Sequence, residues 1–101
     1  MPRPGNAPAS AKHAILNSWE AAQFPTWTFW GETHTHTYNT GNCGVTVSWQ
    51  AGAAQPAYAY LDAGEDHEED GFWAGFPVTI TNCTQRDDAN NIEPQIEVWV
   101  W

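Results

Sequence analysis

Tryptophan is over-supplied in this chain, with seven in 101 residues. An exposed indole gives the C–H face of a pyranose a flat apolar platform, and nearby hydroxyl, amide and carboxylate groups satisfy the sugar hydroxyls. In the C-terminal segment Ile96, Val98 and Val100 alternate with Glu97, Trp99 and Trp101. Burying the β-branched side leaves Trp99 and Trp101 on the other face of a strand. Trp30 and Trp73 are further stacking candidates, with Thr33, Thr35 and Asp62 as hydroxyl partners. Most of the tryptophans are expected in the core, because large aromatic side chains bury well.

A second constellation is the pair His34 and His36, which leave the same face of a threonine-rich strand. Such a pair can begin a zinc, copper or iron site, with His67, Asp66 or Glu65 as the third ligand. The cupin pattern of H-x-H followed by glutamate fails here, since Thr37, Tyr38, Asn39 and Thr40 follow instead. The alternative is a surface pair without metal. The acidic run Glu65-Asp66-His67-Glu68-Glu69-Asp70, with Asp62 before it, reads as a solvated loop. Calcium is its functional alternative, although the spacing lacks the D-x-D-x-D-G loop. For catalysis the sequence offers little: there is no G-x-S-x-G elbow, and Lys12, the only lysine, follows no phosphate-cradling loop.

Composition narrows the partners. Twelve acidic against three basic residues give a formal charge of −9, which disfavours nucleic acid and anionic membrane surfaces. No apolar run has the length of a membrane span. Residues 1–9 lack the apolar stretch of a secretory signal, yet a glycan-binding role implies an extracellular protein, with the cytoplasm as the alternative. Cys43 and Cys83 form neither a CxxC redox pair nor a zinc framework. One disulfide between them in an oxidising compartment and two free thiols are the alternatives.

These residues must be held by a scaffold. Residues 1–9, rich in proline, read as a flexible arm, and residues 10–101 as one domain. Ser10 stands as an N-cap, and residues 11–23 lack glycine and proline before Pro25. Ala11, Ile15, Trp19 and Ala22, widened by Leu16, mark the apolar stripe of an amphipathic helix. Ile15, Leu16 and Trp19 then pack on the chain's own sheet or on a second copy. After Pro25 the pattern turns to alternation over 26–30, 33–38, 45–49, 57–61, 76–81 and 96–101, with Tyr58 and Tyr60 sharing one face. Turn signals separate these runs. The expected fold is mainly β: a small antiparallel immunoglobulin-like sandwich led by one N-terminal helix.

Val45-Thr46-Val47-Ser48, seven residues, then Pro56-Ala57-Tyr58-Ala59 resembles the middle of the fungal immunomodulatory proteins. Trp19 ahead of Trp30-Gly31, and Asp88-Ala89-Asn90-Asn91 ahead of a final strand ending in tryptophan, fall in a similar order. The chain departs from that family in carrying cysteine and histidine, and in Gly31-Glu32-Thr33 where the family has G-R-G. The resemblance implies a lectin-like, non-catalytic protein that dimerises through its N-terminal helix and binds cell-surface glycans. It assigns sugar contact to Trp30 and to Trp101 or Trp99. Residues 73–82, WAGFPVTITN, are loosely similar to a stretch of bacterial cellulose-binding modules. The expected function is therefore carbohydrate binding without a cofactor. Its rivals are a metal-binding protein or metalloenzyme using His34 and His36, and a secreted protein-interaction module such as an inhibitor or effector.

Overall fold

The computed structural model describes residues 2–28 and 31–101, so Trp30 lies outside the described residues. Eight strands follow one another: β1 (Lys12–Leu16), β2 (Ala21–Phe24), β3 (Thr33–Asn39), β4 (Val45–Ala51), β5 (Ala57–Leu61), β6 (Asp66–Gly71), β7 (Val78–Asn82) and β8 (Ile96–Val100). They form two four-stranded antiparallel sheets, ordered β1-β8-β3-β6 and β2-β7-β4-β5. First strand pairs with last, second with seventh, third with sixth, and fourth with fifth. The chain is thus one long hairpin folded over on itself, closed by β3–β8 and β4–β7 pairing. That is the jelly-roll arrangement. The expected sandwich is present, but its strand order is not the immunoglobulin one.

The leading helix is not. No helix occurs among the described residues, and its expected span holds β1, a turn and β2. Two forces override the local helix propensity. Both segments alternate, so Ala14, Leu16, Ala22 and Phe24 join the core. They also cover β8 and β7, whose edge N–H and C=O groups would otherwise lack partners. The turn places Trp19 at φ 58°, incompatible with a helix. Ile15 and Trp19 are exposed whereas Leu16 is buried, so the expected helical dimer stripe does not exist. Within the N-terminal segment, Ala7 N–H donates to the Pro4 carbonyl, and both residues are buried.

The acidic run expected as a loop is β6, an edge strand. Its alternation sends Asp66, Glu68 and Asp70 outward, which blunts the edge against pairing with another chain. The expected strand over 26–30 is absent where described, since 26–28 are not in a strand.

Between the sheets, Val45, Val47, Val78, Ile80, Ile96 and Val98 are fully buried with Trp49 and Val100 beside them. The interior turns polar toward β3 and β6. Thr33, Thr35 and Thr37 are buried on the inner face of β3. The Thr35 hydroxyl donates to the Glu69 carbonyl at 2.8 Å. Two buried asparagine amides each tie a strand end to a loop: Asn39 donates to the carbonyls of Cys43 and Leu61, and Asn82 to those of Leu16 and Pro94.

Candidate functional site

The two outer faces differ in chemistry. On the first sheet, strand alternation puts Glu97, Trp99 and Trp101, His34, His36 and Tyr38, and Asp66, Glu68 and Asp70 on one surface, with His13 and Ile15 from β1. Cross-strand register aligns His13, Trp99, His36 and Glu68 in one row, and Ile15, Glu97, Tyr38 and Asp66 in the next. Each histidine here lies against an aromatic ring and a carboxylate. His13 sits 4.1 Å from Trp99 between ring centres, and its Nε2 is 2.7 Å from Glu97. His36 stacks on Tyr38 at 4.4 Å, with Nε2 2.6 Å from Asp66. His34 stacks on Trp101 at 5.5 Å, with Nδ1 3.2 Å from Asp70. The fourth, His67, repeats the pattern on the inner side of β6, 5.0 Å from Trp49 and 3.0 Å from Glu69.

This face is strongly acidic. Burial raises the Tyr38 phenol, and the charges of Asp66, Glu68 and Glu97 push it further up. Burial also acts to raise Glu97, but the hydrogen bonds it accepts, His13's among them, leave its carboxyl below the usual range. The expected set of His34, His36 and His67 does not converge. His34 and His36 face outward and His67 inward, so no ion can be shared by all three. His34 instead meets Glu32 and Asp70: one ligand atom from each lies within 4.8 Å of the others.

Trp99 and Trp101, expected as open platforms, are half-buried under His13 and His34. Trp73 packs against the core and lies across Gly71, where an added Cβ would come within 2.4 Å of its ring. Thr33 and Thr35, expected as sugar partners, point into the core and cannot reach a ligand. Asp62 is exposed on the turn after β5. Cys43 and Cys83 are free thiols, not a disulfide; the Cys83 thiol donates to the Ser48 hydroxyl at 3.5 Å. Trp101 also lines a cleft of about 340 Å³ at the sandwich end with Trp27, Pro8, Ser10, Lys12 and Thr26.

On the second sheet, Val45, Val47 and Trp49 point inward, so Thr46, Ser48 and Gln50 point outward with Thr79 and Thr81, Ala21 and Gln23, and Tyr58 and Tyr60. None of these outward residues is charged. Ala21, Thr81, Ser48 and Tyr58 form one cross-strand row, and Thr46 faces Tyr60. Both tyrosines are 65% exposed. Tyr60 lies over Gly44, where a Cβ would fall 1.8 Å from the phenol oxygen. The sequence alone names no site residue on this face. Its signal there is the shared alternation of Tyr58 and Tyr60.

No protein-family model matches the chain, and no curated protein matches it. Among solved structures it is similar to a de novo designed double-stranded beta-helix determined by solution NMR. That likeness has TM-score 0.46 and 11% identity, covering 91% of this chain and 96% of that one. At that score it carries no argument about fold or function.

Proposed function

We propose that the protein binds a neutral carbohydrate chain across the outer face of the β2-β7-β4-β5 sheet. One observation carries this: in a chain of net charge −9, that face presents two exposed tyrosine platforms beside an uncharged lane of hydroxyls and amides. Tyr58 and Tyr60 are two residues apart on one strand, so their rings offer stacking positions about 7 Å apart. Thr46, Gln50, Thr79 and Thr81 supply donors and acceptors for sugar hydroxyls, while Ser48 between them is buried. An uncharged ligand meets no repulsion from the acidic remainder of the surface. The platforms are thus tyrosine rather than the tryptophans expected from composition. Neither the fungal immunomodulatory resemblance nor a helical dimer is needed.

The test is affinity electrophoresis through gels containing a neutral glucan, mannan or xylan. Retardation by at least one polymer is expected. Each tyrosine stack contributes about 1 kcal/mol, so Tyr58→Ala or Tyr60→Ala should weaken binding roughly fivefold. Trp27→Ala and Trp101→Ala should leave it intact. No retardation by any polymer, or retardation that survives the double tyrosine variant, would refute the proposal.

A further inference from the structure

The acidic face carries a second, independent site. We infer that Glu32, His34 and Asp70 bind one divalent transition-metal ion of the zinc type. One nitrogen and two carboxylate oxygens suit such an ion, and three protein ligands leave a coordination position for water. The ligand atoms lie within 4.8 Å of one another. An ion with bonds of about 2.0–2.2 Å would draw them together by a modest movement, which side chains with a third or more of their surface exposed can make.

The choice among the histidines follows from geometry. His13 has one carboxylate partner, Glu97, at 2.7 Å. His36 has two, Asp66 and Glu68, but its side chain is only 10% exposed. Its Nε2 is held 2.6 Å from Asp66, and its Nδ1 lies 3.4 Å from the Tyr38 hydroxyl. His34 likewise has a carboxylate at each nitrogen, Glu32 3.6 Å from Nε2 and Asp70 3.2 Å from Nδ1, but its side chain is 35% exposed. An ion takes one nitrogen, and the exposed carboxylate beside the other swings round to join it. The ligands come from separate places, with Glu32 just before β3, His34 within it and Asp70 directly across on β6. Trp101 backs the imidazole from the other side, so the ring is oriented before an ion arrives. The neighbouring carboxylates Asp66 and Glu68 both lie against His36, which adds negative charge to the face beside the three ligands.

The site stands apart from the carbohydrate proposal, since it lies on the opposite sheet and shares no residue with it. The experiment is calorimetric titration of chelator-treated protein with Zn²⁺, paired with NMR observation of the Trp101 indole. One ion per chain and a shift of the Trp101 resonance are expected. His34→Gln or Asp70→Asn should weaken binding at least tenfold, whereas His36→Gln should not. His34 and Asp70 lie on the surface whereas His36 is buried, so circular dichroism of each variant is the check that the fold is kept. Absence of Zn²⁺ binding by the parent protein, or binding unchanged in His34→Gln, would overturn the inference.

Discussion

His34 and Trp101 are joined through both backbone and ring. His34 N–H donates to the Trp101 carbonyl at 2.7 Å, Trp101 N–H returns a bond to the His34 carbonyl at 2.9 Å, and the rings stack at 25°. The last residue of the chain thereby fixes the orientation of an imidazole on the next strand. Trp101→Ala should leave the three metal ligands in place yet weaken Zn²⁺ binding about tenfold, the low end for a partner that orients a ligand. Calorimetry on this variant, beside His34→Gln, separates orientation from ligation.

Gly44 holds Tyr60 without touching any ligand. A methyl group there would occupy the place of the phenol ring, so Gly44→Ala must push Tyr60 off the sheet. Polysaccharide retardation should fall as far as in Tyr60→Ala, roughly fivefold. The fold should persist, because Tyr60 is exposed and free to move.

The buried threonines of β3 are not equivalent. The Thr35 hydroxyl donates to Glu69, whereas the Thr37 hydroxyl has no partner. Thr35→Val should cost about 1 kcal/mol, the net value of one hydrogen bond and the unsatisfied carbonyl it leaves. Thr37→Val should be neutral or stabilising, since it removes a buried polar atom that gains nothing. Urea denaturation of the two variants measures the difference.

Arg86 clamps the loop between β7 and β8 by donating to Glu93 at 2.6 Å, Asp88 at 2.9 Å and Asn91 at 2.6 Å. Glu93 also accepts from Ser18 N–H in the β1–β2 turn. The Arg86 hydrogen bond first, and Ser18 second, hold the Glu93 carboxyl below its ordinary 4.5. A depressed carboxylate contributes stability fully above its unfolded value and loses it as pH falls through the folded one. Glu93→Gln should therefore lower the melting temperature at neutral pH. The gap from the parent should narrow on acidification from about pH 6 to pH 3.

Strands with a regular alternation of residue type were legible in the sequence: β4, β5, β7 and β8, apolar on one side, and β3, with threonine on one side, fall close to the expected runs. Those with other codes were not. In β1 and β2, Ala, Leu and Gln carry helix propensity, and only the pairing of Leu16 with Ile96 and of Phe24 with Val78 decides for strand. In β6 no apolar residue alternates at all, and His67 and Glu69 face inward because β3 offers them threonines. The candidate sites follow the same division. Which face of β8 is buried could be read from Val98 and Val100. That Trp99 and Trp101 would be covered by His13 and His34 depends on strand order, which local spacing does not encode. The metal ligands Glu32 and Asp70 meet only because β3 pairs with β6.

The carbohydrate proposal is tested most directly by titrating ¹⁵N-labelled protein with oligosaccharides of whichever neutral polymer retards it. Amide shifts should concentrate at Thr46, Ser48, Tyr58, Tyr60, Thr79 and Thr81, on the uncharged sheet. Shifts confined to Trp27, Ser10 and Trp101 would place the sugar in the end cleft and contradict it, as would an unchanged spectrum.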